Sequence, residues 1–136
     1  MKRAAEPPDL RPETCRYGRS LRPLTDNERR LLDHLLRGEG PGLSTLREQI
    51  ASVQVTGPWS PGSASLRLSV AAGAPAADLL DGPLPTIAWA YDAEGRPTGS
   101  LMVYVENGYL SDIEYGWVTD DPPTELPSAD AIRPAK

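Results

Sequence analysis

Between residues 86 and 119 the large apolar side chains fall on odd positions: Ile87, Trp89 and Tyr91, then Leu101, Val103 and Val105, then Ile113, Tyr115 and Trp117. A period of two marks half-buried strands, placed here at about 86–92, 98–105 and 109–119. Facing residues of an antiparallel pair share one side of the sheet. Odd must therefore pair with odd, and the turns must hold an odd number of residues. A two-residue turn at Asn107-Gly108 would set Val103 against Asp112 and mix core with solvent. Three-residue loops satisfy both hairpins: Ala93-Glu94-Gly95 and Glu106-Asn107-Gly108, each closing on a glycine that tolerates positive φ. They predict Asp92 opposite Arg96, Ile87 opposite Leu101, Val105 opposite Tyr109 and Leu101 opposite Ile113.

Upstream the period is 3.6. In "LTDNERRLLDHLLRGEG", Thr25 and Glu28 have the spacing of a capping box, and Asp26 suits the positive end of a helix dipole. Leu31, Leu32, Leu35 and Leu36 form one stripe, which Gly38, Gly40 and Pro41 end. A shorter helix over about 42–51 aligns Leu43, Leu46 and Ile50. Two further strands follow: "SVQVT", with Val53 and Val55 inward, and "SASLRLSV", with Ala64, Leu66, Leu68 and Val70 inward. Residues 71–85 are too rich in Ala, Gly and Pro for a strand and read as a loop, with one helical turn near Asp78–Leu80. The fold class is α+β: two N-terminal helices on one face of a mostly antiparallel sheet of about five strands. The leucine stripe is expected to cover Trp89, Val103 and Trp117.

With 136 residues the chain fits one domain, read as a disordered basic arm over 1–23, an α+β domain over 24–120 and a Pro-rich extension over 121–136. No apolar stretch approaches the ~20 residues of a membrane helix. The N-terminus lacks the apolar run of a secretory signal, so a cytoplasmic location is the expectation. Cys15 is the only cysteine, which excludes a disulfide or a cysteine-based metal site within one chain. The net charge of −5 is uneven, with residues 1–23 at +3, 24–70 neutral and 71–136 at −8. An acidic half repels nucleic acid and attracts basic partners.

Candidate chemistry is sparse. His34, the only histidine, sits off the leucine stripe and is expected on the surface. No Ser–His–Asp or Cys–His set assembles from the sequence, and the glycine clusters lack the context of a phosphate loop. Asp112 and Glu114 alternate on one strand and share its outer face, with Glu106 near the adjoining turn. An open sheet face supplies no apolar pocket to split their pKa values, so neither catalysis nor a metal is assigned to them. Tyr104 falls on the same outer face with Met102 and Leu110, whereas Trp89, Tyr91, Tyr115 and Trp117 are assigned to the core. Tyr104, Glu106, Asp112 and Glu114 form the predicted partner-binding set, and no cofactor is expected.

The string "YDAEGRPTG" resembles one unit of the YD repeat of large bacterial toxin shells. It occurs once, however, and a shell would repeat it at a fixed period. Together "LTDNERRLLDHLL", "VYVENGYLSDIEYGWV" and "DDPPTELPSADAI" resemble a family of small bacterial proteins of no established activity, so no functional residue carries over. At the level of class, the size and acidity are similar to those of immunity proteins and antitoxins. The expected function is a non-catalytic protein-binding module, an immunity-like inhibitor of a basic toxin or nuclease. The alternative is a small-molecule-binding or enzymatic domain with a pocket between helices and sheet.

Overall fold

The computed structural model describes residues 21–134. Residues 1–20 of the arm predicted over 1–23, with Cys15, lie outside the described residues. The elements are β1 (Arg22–Pro23), α1 (Asp26–Leu35), α2 (Leu43–Gln49) with a 3-10 turn (Ile50–Ser52), β2 (Val53–Pro58), β3 (Leu66–Val70), β4 (Gly82–Pro83), β5 (Ala88–Tyr91), β6 (Pro97–Glu106), β7 (Tyr109–Trp117), a second 3-10 turn (Ala129–Ala131) and β8 (Ile132–Pro134). All strand pairs are antiparallel, in the order β1-β2-β3-β7-β6-β5-β8, and β4 shares one edge of β6 with β5. No helix among the described residues is long and apolar enough to cross a membrane.

The α+β class holds, but the sheet has eight strands rather than about five. The three additions, β1, β4 and β8, are two or three residues long, too short to show a period. The helices do not open the fold; they lie between β1 and β2. The loop over 71–85 contains β4 and no helical turn at Asp78–Leu80.

α1 begins as its sequence dictates. Thr25 caps it: its Oγ1 accepts from the Glu28 N–H at 3.1 Å, and Glu28 Oε1 accepts from the Thr25 N–H at 2.9 Å. Arg22, within the span assigned to the arm, grips the Glu28 carboxylate with both guanidinium nitrogens at 2.9 and 2.8 Å. Burial pushes the Glu28 pKa up. The Arg22 hydrogen bonds and the Thr25 N–H outweigh it and hold the carboxyl below its ordinary range. Leu31, Leu32, Leu35 and Leu36, with Leu43, Leu46 and Ile50 of the second helical segment, are buried in one cluster with the inward residues of the sheet. α1 packs on β6 and α2 on β7.

The far end of the chain also belongs to this domain. Asn27 of α1 receives the Ala129 N–H on Oδ1 at 2.7 Å and donates from Nδ2 to the Pro127 carbonyl at 3.0 Å. β8 then pairs with β5, and Ile132 is buried. The segment over 121–134, read as an extension, therefore completes one edge of the sheet.

The registers depart from expectation at two bulges. In the β5–β6 hairpin the three-residue loop is present: the Asp92 N–H donates to the Arg96 carbonyl at 2.9 Å, and Gly95 has φ of 82°. Arg96 Nε meets Asp92 Oδ2 at 3.1 Å, the expected pair across the turn. Tyr91 then faces Pro97 but Ala90 faces Gly99, leaving Thr98 as an extra residue. Pro97 has no N–H to give the ladder. Thr98 is held elsewhere, its carbonyl by the Val118 N–H at 2.9 Å and its Oγ1 by the Tyr115 hydroxyl at 2.7 Å. Beyond the bulge Leu101 faces Ala88, not Ile87. Ala88 and Ala90 point into the core, and Trp89 and Tyr91 turn to the other face. Of the expected targets of the leucine stripe, Val103 is buried, Trp89 is on the opposite face, and Trp117 is 48% exposed at the end of β7. Of the aromatics assigned to the core, only Tyr115 is buried there.

In the β6–β7 hairpin the turn is the two-residue Asn107-Gly108, with φ of 55° and 86°, and Glu106 faces Tyr109. Both residues are left-handed, as a type I′ turn requires. Val105 faces Leu110 and Tyr104 faces Asp112, so Ser111 is the extra residue, and Val103 meets Ile113. The bulge restores the core register that a two-residue turn alone would break. Gly108 is needed twice over, because a Cβ there would lie 2.6 Å from the Ala77 carbonyl oxygen. Gly108→Ala is therefore expected to cost about 1–3 kcal/mol in urea unfolding, through strain and steric displacement. An unchanged midpoint would show that the turn relaxes freely.

Candidate functional site

The face of the sheet away from the helices is built by the even positions of β6 and their cross-strand neighbours. Trp89 stands beside Ser100, Met102 beside Glu114, and Tyr104 beside Asp112, whose other neighbour is Arg67 on β3. Three of the four predicted partner-binding residues thus come together: Tyr104, Asp112 and Glu114, all half-buried. Glu106 stands apart. It is exposed at the hairpin end, and among the described residues its side chain makes no hydrogen bond to the other three.

The Tyr104 hydroxyl donates to Glu114 Oε1 at 3.0 Å. This bond to a carboxylate, with burial and the nearby Glu114 and Asp112 charges, raises the phenol above its ordinary pKa. Ser111 Oγ, carried by the bulge, donates to Asp112 Oδ2 at 3.1 Å. Trp59, from the connection between β2 and β3, meets Tyr104 edge to face, with ring centroids 6.2 Å apart and planes at 72°. Its indole is 37% exposed and borders a groove with Gly57, Pro58, Pro61 and Arg67.

The sequence pattern places Tyr104, Met102, Asp112 and Glu114 on this face; it misses Trp59 and Trp89, and it wrongly adds Leu110, which stands opposite Val105 ahead of the Ser111 bulge and is buried in the core. Trp59 lies in a loop without period. Trp89 follows the odd-position rule that the Thr98 bulge reverses. The face of Trp89 turns on one inserted residue, and no periodicity records such an event.

Elsewhere the chemistry is thin. His34 is half-buried near the end of α1. Among the described residues, no group of three His, Cys, Asp or Glu side chains converges as metal ligands would. Gln49 is fully buried, but all its polar atoms bond to backbone, a structural role. No family model, no curated protein and no solved structure matches the chain.

Proposed function

We propose that this chain is a non-catalytic protein-binding module of the immunity-protein or antitoxin kind, which docks on a basic partner through the helix-free face of its sheet. The observation that supports this reading is the composition of that face. Trp59, Trp89, Met102 and Tyr104 lie among carboxylates on a rigid sheet, with no helix over them. Aromatic and Met side chains are enriched where proteins meet, and the aromatics anchor while charge steers the approach. The alternative needs a pocket between helices and sheet. That space is filled by Leu31, Leu32, Leu35, Leu36 and Leu46 against Leu101, Val103 and Ile113.

A photo-crosslinking residue at Met102 tests the reading in cells that make the protein, with the exposed Asp33 of α1 as control. Crosslinks from position 102 to one basic protein, absent from position 33, are the expected result. Equal products at both positions, or none at 102, would remove the proposal. With the partner in hand, Tyr104→Ala should raise the dissociation rate, and Asp112→Lys with Glu114→Lys should mainly lower the association rate.

A further inference from the structure

We propose that the corner formed by Trp59, Tyr104, Asp112 and Glu114 receives an arginine side chain of the partner, an assignment that rests on the docking role given above. Several carboxylates of the described chain are matched by cations: Glu28 by Arg22, Asp130 by Arg30, and both Asp92 and Glu94 by Arg96. Among the described residues Asp112 and Glu114 are not. Both are half-buried, and their side-chain partners among the described residues are neutral hydroxyls, those of Ser111 and Tyr104. Arg67 is the cross-strand neighbour of Asp112, yet no ion pair joins the two. Two negative charges at a partly desolvated surface, with no ion pair to either among the described residues, make a strong field for a cation.

The aromatics decide which cation fits. The planes of Trp59 and Tyr104 meet at 72°, and the Tyr104 hydroxyl bonds Glu114, so an indole stands one ring away from a carboxylate. A flat guanidinium can stack on an indole face while its N–H fork reaches a carboxylate. An ammonium is a point charge and does only one of these well. One oxygen of each carboxylate accepts no hydrogen bond among the described residues, so both remain available to such a fork. Arg67, on the far side of Asp112, weakens the field and is a built-in opponent of the incoming charge.

The test is a titration of the whole protein, isotopically labelled, with the peptide acetyl-Gly-Arg-Gly-Arg-Gly-amide and its lysine and citrulline analogues. The arginine peptide is expected to shift the Trp59 indole resonance, and the shift should shrink with added salt. Citrulline keeps the shape without the charge and should bind at least about tenfold more weakly, with lysine between the two. Asp112→Asn with Glu114→Gln should abolish the shift while leaving the rest of the spectrum dispersed, and Arg67→Ser should strengthen binding. Equal binding of the citrulline peptide would overturn the assignment, as would shifts confined to the acidic residues near 120–125. If the peptide leaves Trp59 unmoved while crosslinks from position 102 still capture a basic protein, the arginine assignment falls and the docking role stands. If both fail, both fall.

Discussion

A protein with leucine at position 49 is expected to be less stable than the natural chain by about 2–4 kcal/mol, measured by urea unfolding. Gln49 ties three segments together, and it has no exposed surface. Its Nε2 donates to the Pro75 carbonyl at 2.7 Å and to the Gly108 carbonyl at 2.9 Å, and its Oε1 accepts from the Leu110 N–H at 2.9 Å. Leucine keeps the size and removes all three bonds. The Gly108 carbonyl retains a partner in the Ala77 N–H at 2.8 Å. The Pro75 carbonyl and the Leu110 N–H lose the partner that Gln49 supplies, at about 1–3 kcal/mol for each buried group left unsatisfied. Burying an apolar side chain returns part of that loss. Glutamate at the same position should be worse, because it cannot donate and brings a charge into the core. Unchanged stability in the leucine variant would mean that water enters this site and replaces the amide.

Leu35→Ala is expected to cost about 2–5 kcal/mol in the same measurement. Leu35 lies on the inward stripe of α1, is 1% exposed, and belongs to the cluster that joins helix to sheet. Truncation removes its transfer free energy and leaves a cavity that the rigid sheet beneath cannot collapse into. The comparison is Leu80→Ala, since Leu80 is 92% exposed and should change stability by less than about 0.5 kcal/mol. A loss below about 1 kcal/mol at Leu35 would mean that α1 is not part of the cooperative core.

The elements that could be read in advance are those whose cause is local. The Thr25–Glu28 box needs only a spacing of three, and the leucine stripe only a period of 3.6; both are present as expected. Gly95 and Gly108 take positive φ because their turns need left-handed backbone, which glycine adopts without strain. What escaped depends on residues distant in sequence. Asn107-Gly108 is by itself a good type I′ turn, rejected on a register argument that assumed uninterrupted strands. Ser111 interrupts one of them, and α2 supports the irregularity through Gln49, whose amide takes the Leu110 N–H. β8 consists of three residues and exists because β5 offers it an edge and Asn27 holds the segment before it. The side chains of the helix-free face were legible in part for the same reason. Tyr104, Asp112 and Glu114 follow simple alternation on β6 and β7, whereas Trp89 owes its face to Thr98.

That single residue couples the length of the chain to its composition. Inside the bulged hairpin the small Ala88 and Ala90 face the core and the large Trp89 and Tyr91 face out, the reverse of the usual economy of size. A lineage that lost Thr98 by deletion would exchange the two sets in one step, driving two aromatic rings into space shaped for methyl groups. A lineage that substituted Thr98 would keep the register. Descent along this strand should therefore tolerate replacement and refuse changes of length. Any insertion or deletion that survives should be accompanied by an exchange of large and small residues at 88–91.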